Sequence, residues 1–256
     1  AVPVGQSRLR WVDLIRALGA FLVVLAHVQY SGSGPRVVGD LYYALTRAAV
    51  PLFFISSGYL LLSKNEPLWD FFRKRVVKVF VPFLVWSVIY LLWQREAFDR
   101  SFLDILKIYT LKIVRGPRES HLWFFYELFG LYLFTPILRV YLKSAVRKDL
   151  LYFFGSWFLL IIIAKLVQDF TSLQIGFTYY FLGGYIGHFL FGRLVETYEI
   201  TAVHKRIAWA IFFIALLATT AGMYLYTETQ YFEDYFSFTV VIMSCASWIA
   251  LNGISV

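Results

Sequence analysis

Three ionisable side chains stand in the first apolar stretch of the chain, which runs from about Trp11 to Val28. They are a carboxylic acid (Asp13), a guanidinium (Arg16) and an imidazole (His27). An imidazole can exchange a proton near neutral pH, and a guanidinium binds anions through paired hydrogen bonds. Because such a group costs about 2.5–3.5 kcal/mol at mid-membrane, each one is a candidate functional residue.

The spacing of Arg16 and His27 places both on one face of a helix. Ten residues separate them, and eleven steps of about 100° amount to three turns plus roughly 20°, with an axial separation of ~16 Å. Asp13 falls about 40° from that face. A polar stripe on an apolar helix is expected to look into the bundle or a wet cavity, where it lines a path. The alternative is that Asp13 and Arg16 neutralise each other while His27 reaches the head groups.

The composition indicates a membrane protein. The 256 residues are 60% hydrophobic and 16% charged, against roughly 45–50% apolar and ~25% charged in a soluble domain. The net charge is +8, but Lys and Arg lie between apolar segments, which favours lipid head groups as partners over nucleic acid. The single cysteine, Cys245, excludes a disulfide framework within the chain, and the sequence contains no apparent metal-ligand cluster.

Eight apolar segments are long enough to span about 30 Å of hydrocarbon. Their approximate bounds are 11–28, 41–62, 76–93, 121–138, 150–167, 175–191, 207–226 and 236–255. They predict an all-α, polytopic membrane helical bundle that forms one domain over residues 1–256. The small residues Ser56, Ser57 and Gly58 are expected to let helices approach closely.

The loops between these segments predict the orientation and one further helix. Basic residues alternate between loops in a way that places the N-terminus in the cytoplasm. The basic connection 94–120 would then lie outside, and an amphipathic helix is predicted there from the helical spacing of Phe102, Ile105, Leu106, Tyr109 and Ile113. The last segment reaches Val256 without a polar tail, so we expect a chain truncated at its C-terminus.

Four motifs occur in a set order along the first four segments. They are the Arg-to-His arrangement in Leu14–His27, VPLFFISSGY at Val50–Tyr59, FRKR at Phe72–Arg75 leading to Pro82, and HLWFFYE at His121–Glu127 followed by Tyr132 and Pro136. Together they resemble membrane acyltransferase family 3, the integral-membrane acyltransferases that modify bacterial surface glycans. The later likeness rests mainly on Tyr179–Tyr185 and on hydropathy. Members of the family commonly have about ten spanning helices.

The resemblance implies transfer of an acyl group, usually acetyl, from cytoplasmic acyl-CoA to a hydroxyl or amine of a cell-surface or lipid-linked glycan. The expected location is a bacterial inner membrane, and no metal is expected to take part. His27, near the outer face, is expected to act as general base or acyl carrier. Glu127 is expected to orient and polarise His27, or else to be a carboxylate paired with a Tyr or Arg inside the bundle.

The resemblance also implies the binding residues. Guanidinium groups bind phosphate oxygens in pairs, so the donor phosphates are expected to meet Arg16, Arg73, Lys74 and Arg75. Without the family likeness, the basic run 72–78 reads as a positive-inside anchor. The residues expected near the acceptor are Asp13, His121, Trp123 and Tyr126.

A transporter or flippase for a glycan or lipid-linked sugar is the rival function. In that case the polar stripe lines a permeation route and no group is transferred. Transporters built from inverted repeats show paired broken helices, a pattern that the hydropathy of this chain does not contain.

Overall fold

The computed structural model describes residues 9–28, 35–93, 103–105, 107, 110–111, 120–171, 173 and 184–255. Every regular element among them is helical, which confirms the all-α prediction for this part of the chain. The helices are α1 (Arg10–His27), α2 (Arg36–Thr46), α3 (Ala49–Leu62), α4 (Leu68–Arg75), α5 (Val81–Trp93), α6 (Trp123–Ser144), α7 (Arg147–Trp157), α8 (Ala164–Phe170), α9 (Ile186–Glu196), α10 (Ala202–Leu225) and α11 (Phe238–Ala250). π-Helical turns at Val76–Phe80 and Phe158–Ile163 join α4 to α5 and α7 to α8.

Three helical stretches of the described residues are long and apolar enough to cross a membrane. They are Arg36–Leu62, Arg147–Phe170 and Ala202–Leu225, which correspond to the second, fifth and seventh predicted segments. The predicted count of about eight spans is not confirmed. Two local features bear on the difference. The 18 residues of α1 include Arg10, Asp13 and Arg16, and the sixth predicted segment begins outside the described residues.

The amphipathic helix predicted in the 94–120 connection falls largely outside the described residues. Ile105 is helical and partly buried there. The other apolar positions of that prediction, which lie outside the described residues, are Phe102, Leu106, Tyr109 and Ile113.

The chain forms two compact units. The larger consists of residues 1–63 and 142–256, and the smaller of residues 64–141. In the larger unit the broadest helix contacts are α10 with α11, α9 with α3, and α10 with α2. Three rings fix the beginning of α1 in its core, since Trp11 lies 5.0 Å from Trp248 and 5.2 Å from Tyr59, centroid to centroid. Such aromatic pairs add about 0.5–1.5 kcal/mol each beyond the area they bury.

Helices α3 and α9 meet at backbone contact distance because glycines lie at their crossing. A methyl group added at Gly58 would lie 1.7 Å from the carbonyl oxygen of Phe189, and one at Gly192 would lie 2.8 Å from that of Ile55. Nearby, the buried Ser56 hydroxyl donates to the Leu52 carbonyl at 2.7 Å. Part of the predicted small-residue patch therefore does serve close packing, and Gly192 is its partner on the other helix.

The smaller unit is built on aromatic contacts between α5 and α6. Phe83 is 2% exposed, and its ring centroid lies 5.4 Å from Phe125, 5.6 Å from Tyr126 and 5.4 Å from Phe129. The buried face of α6 continues along the helix as Leu128, Leu131, Thr135 and Leu138. These spacings of three and four residues give one apolar stripe, which sets the rotation of α6.

The crossing of α3 and α9 predicts a strong effect of one methyl group. Gly58→Ala is expected to lower the free energy of unfolding by about 3 kcal/mol, because the new methyl overlaps backbone that cannot move aside. The measurement is thermal or denaturant unfolding of the purified protein in detergent. Gly155→Ala is the matched control, since open space surrounds that position of α7, and it is expected to leave stability unchanged or slightly raised. Equal effects of the two substitutions would contradict the proposed packing.

Candidate functional site

His27 ends α1 with one ring nitrogen already engaged. Its Nδ1 lies 2.8 Å from the Val23 carbonyl oxygen. A carbonyl oxygen only accepts, so Nδ1 carries the proton of that bond. In the neutral ring Nε2 then holds a lone pair, and the side chain is exposed. This tautomer suits Nε2 to accept a proton or to attack a carbonyl carbon.

Arg16 and His27 lie on the flank of the buried face of α1. The buried residues are Trp11, Val12, Ile15 and Gly19, and Arg16 and His27 lie roughly 100° around the helix from the centre of that stripe. Both are exposed, whereas Asp13 is partly buried. Small side chains, Ala20 and Val23, lie between the two on the same face. The shared face follows from the observed helix, but an enclosed passage between the residues stays a prediction.

Residues of α2 hold the end of α1 that carries His27. The Tyr42 hydroxyl donates to the Leu25 carbonyl and lies 3.4 Å from that of Val28. Six residues earlier, about 120° around α2, Arg36 donates to the Met223 carbonyl at 3.1 Å, near the end of α10. Sequence reasoning did not single out Tyr42 or Arg36. Arg36 precedes the second apolar segment and Tyr42 lies at its beginning, and these positions do not reveal a partner far along the chain.

The basic run at the end of α4 converges on one carboxylate. Glu66 accepts from Lys74 Nζ at 2.9 Å on one oxygen and from the Arg139 guanidinium at 3.1 Å on the other. The Arg75 guanidinium forms an ion pair with that second oxygen at 3.0 Å. The side chain of Glu66 is 10% exposed, and those of Arg75 and Arg139 are 12% exposed. Lys74 is 56% exposed, and Arg73 is exposed too. We call Glu66, Lys74, Arg75 and Arg139 the Glu66 cluster.

The buried ring of Phe71 packs against the two guanidinium groups of the Glu66 cluster. Phe71 is fully buried, and its centroid lies 4.0 Å from the guanidinium carbon of Arg75 and 4.7 Å from that of Arg139. Arg75 also donates to the Phe71 carbonyl at 3.1 Å. Cations over an aromatic face are attracted by its quadrupole, so Phe71 holds two like charges close together and Glu66 neutralises part of their repulsion.

The charges of the Glu66 cluster keep its carboxyl ionised. Burial by itself raises the pKa of Glu66, but hydrogen bonds from Lys74 and Arg139 and the charge of Arg75 outweigh it and lower the pKa to about 2. Glu66 and Arg139 were not among the sequence-predicted site residues. They are 73 residues apart, and only the packing of α6 brings the second one to the cluster.

The remaining candidates lie at the beginning of α6 in the smaller unit. His121 is in a 3₁₀ turn, Ser120–Leu122, with its ring 5.2 Å from that of Tyr90. Trp123 and Tyr126 are partly buried among neighbouring rings, and Glu127 is exposed one residue further. His27 and Arg16 belong to the larger unit, so a pairing of Glu127 with His27 and a shared donor site for Arg16 and the basic run stay predictions.

Comparison with known families decides between enzyme and transporter. The family model for the acyltransferase domain of acyltransferase family 3 matches residues 9–255, which include all the helices described above. This chain belongs to acyltransferase family 3. No curated protein and no solved structure matches it.

The membership confirms the resemblance drawn from the motifs of the first four segments. Together with its apolar helices, it makes the chain a membrane acyltransferase. An imidazole can hold a proton and guanidinium groups can bind an anion, which are chemical capacities that an acyltransferase uses.

The low pKa of Glu66 predicts how it stabilises this acyltransferase. Glu66→Gln is expected to lower the free energy of unfolding by roughly 3 kcal/mol near pH 7, since the folded pKa of about 2 lies below the ordinary 4.5. The advantage of the wild type is fully present above about pH 4.5 and is lost as the pH falls through about 2. Unfolding of both proteins at several pH values between 2 and 7 measures it. A stability difference that does not change with pH would contradict this role.

Proposed function

We propose that this acyltransferase takes an acyl group from acyl-CoA on the cytoplasmic side of a bacterial inner membrane and transfers it to a hydroxyl or amine of a glycan on the outer side. The N-terminus lies in the cytoplasm in this proposal. The observation that carries it is the family match over residues 9–255. A guanidinium and an imidazole about 16 Å apart on one face of α1 support it, because they suit the two ends of such a transfer.

His27 is the proposed catalytic residue. Its Nδ1 bond to the Val23 carbonyl favours the neutral tautomer in which Nε2 carries the lone pair. As the general base, Nε2 takes the proton of the acceptor hydroxyl while the oxygen attacks the thioester carbonyl carbon; the carbon–sulfur bond breaks, and the proton passes to the leaving thiolate. As acyl carrier, Nε2 attacks the thioester carbonyl carbon first and the carbon–sulfur bond breaks to release CoA thiolate. The acceptor then attacks the acyl-imidazole, the carbon–nitrogen bond breaks to restore the imidazole, and the acceptor proton passes to the thiolate. Tyr42 positions His27 in both routes by holding the last turn of α1.

The donor is proposed to bind through its phosphates. Arg16, Arg73 and Lys74 present exposed cations, and phosphate oxygens are good acceptors for such groups. The long, thin pantetheine arm can then extend along the small side chains of α1 from Arg16 towards His27. Arg75 is proposed to act from within the Glu66 cluster, where it is already engaged.

The acceptor is proposed to bind near the beginning of α6. Trp123 and Tyr126 offer ring faces and edges on which sugars commonly stack, and His121 offers a polar edge beside them. Asp13 and Glu127 are proposed as carboxylates that accept hydrogen bonds from sugar hydroxyls or, for Glu127, from the imidazole of His27.

The enzyme reaction predicts that His27 is required for turnover. Purified protein given acetyl-CoA and a bacterial surface glycan is expected to release CoA only when the glycan is present, and His27→Ala is expected to lower that rate by about 100-fold or more. Thiol release and acetylation of the glycan, detected by mass spectrometry, are the measurements. His204→Ala is the matched control, because His204 is an exposed imidazole at the beginning of α10 and is expected to leave the rate within about two-fold. Glycan uptake into vesicles without any acyl donor would instead support transport.

The donor site predicts a separate effect of Arg16. Arg16→Ala is expected to weaken CoA binding about ten-fold, since a charge-assisted bond to phosphate is lost. Arg10→Ala is the control, because Arg10 is an exposed arginine of the same helix, about 120° away, and it is expected to change CoA affinity less than two-fold. Equilibrium binding of CoA to the three proteins measures both, and equal affinities would remove Arg16 from the donor site.

A further inference from the structure

The Glu66 cluster has the donor geometry of an anion site whose anion is part of the chain. Three cationic groups converge on the two oxygens of one carboxylate, at 2.9, 3.0 and 3.1 Å. A phosphate bound by the same side chains would present its oxygens to the same nitrogens at similar distances. The carboxylate of Glu66 thus occupies the position that a phosphate would take.

The charge of the cluster is not balanced by Glu66. Among the four side chains of the cluster, Lys74, Arg75 and Arg139 contribute three positive charges and Glu66 contributes one negative charge. Arg75 and Arg139 are both bound to one oxygen of Glu66 and both lie over the buried Phe71 ring, where water screens their repulsion poorly. Two guanidinium groups in such a place need an anion between them, and a phosphate with two negative charges meets that need better than a carboxylate with one.

The carboxylate is carried by a segment that can move without unfolding a helix. Residues 64–67, which include Glu66, have no regular structure, and α4 begins only after Pro67. Lys74 on the outer side of the cluster is 56% exposed, and the neighbouring Arg73 is exposed as well. An arriving phosphate therefore meets Lys74 and Arg73 first and can then replace Glu66 as the partner of Arg75 and Arg139.

We infer that Glu66 is an internal counter-ion that occupies the donor-phosphate site until a phosphate group of the donor displaces it, and that Arg139 is a ligand of that phosphate together with Arg75 and Lys74. The inference rests on the proposed function for the identity of the donor. It adds Arg139 of α6 as a binding residue, and Glu66 as a competing anion, to the basic run of α4. In the absence of donor, Glu66 keeps the two guanidinium groups in place, and it also weakens donor binding by competition.

The inference predicts opposite changes in affinity from two variants of the same cluster. Glu66→Gln is expected to tighten CoA binding about five-fold or more, because the competing charge is gone. Arg139→Gln is expected to weaken it about ten-fold or more, because a charged ligand of the phosphate is gone. A merely structural role of the cluster predicts weaker binding for both. Equilibrium binding of CoA to the full chain in phospholipid-free detergent is the measurement, with cooperative thermal unfolding as the test of folding.

Matched variants separate the site from general electrostatics. Asp70→Asn removes the same single charge from an exposed position of α4 and is expected to change CoA affinity less than two-fold. Lys143→Gln is the matched control for Arg139→Gln. It removes one positive charge one turn further along α6 and is expected to change CoA affinity less than two-fold. Glu66→Asp keeps the charge on a shorter side chain and is expected to tighten CoA binding about two-fold; it decides the question if Glu66→Gln does not fold.

Two further binding comparisons distinguish the donor from a lipid head group as the source of the phosphate. Acetyl-pantetheine lacks the phosphates of CoA, so its binding is expected to be the same in the wild type and in Glu66→Gln. The same comparison in nanodiscs of neutral and of anionic phospholipid tests the other source of phosphate. A variant that changes only the effect of anionic lipid, with unchanged CoA affinity, overturns the inference.

Each result has a separate meaning for the two proposals. Wild-type protein that binds no CoA overturns the proposed donor and the inference that rests on it. Wild-type protein that binds CoA, with a Glu66→Gln variant that binds it equally or more weakly, overturns the inference and leaves the proposed function standing. Tighter binding by Glu66→Gln and weaker binding by Arg139→Gln support both.

Discussion

A charged group that is removed from bulk water needs an opposite charge or a hydrated cavity, and this constraint governs the polar residues of this apolar chain. Glu66 is held by three cations, Arg36 pairs with Asp40, and Lys165 with Asp169 and Asp234. Each pairing allows a polar group to remain among hydrophobic helices. The exposed Arg16 and His27 on the flank of α1 fit the same constraint, since an exposed polar side chain on a mainly apolar helix indicates contact with something polar.

The packing of the larger unit fixes where the polar residues of α1 lie. The rings around Trp11 fix α1 at its beginning, and Tyr42 fixes it at its end. A helix held at both ends keeps its polar residues at a constant separation. That rigidity matters for an acyltransferase, because a catalytic group contributes fully only when it is held within a fraction of an ångström of the reacting atoms.

The sequence predicted the family and the helix face that Arg16 and His27 share, and the limits of that reasoning have a clear cause. The helical period placed Arg16 and His27 on one face, and motifs in order identified the family that the comparison then confirmed. Glu66, Arg139 and Tyr42 were missed. Glu66 and Arg139 are 73 residues apart, and the hydroxyl of Tyr42 meets a carbonyl 17 residues away on another helix. A hydrophobic pattern gives each helix a buried face but not the neighbour that covers it.

The sequence by itself determined the local properties of this protein: apolar helices, the residues that share a face along each one, and the family to which the ordered motifs belong. Those properties follow from composition and from the geometry of a single helix, which need no partner. The tertiary structure alone decided which distant side chains meet. It showed that the basic run of α4 already contains a bound anion, Glu66, and that α6 completes its ligands with Arg139, because ion pairs form by proximity in space and not along the chain.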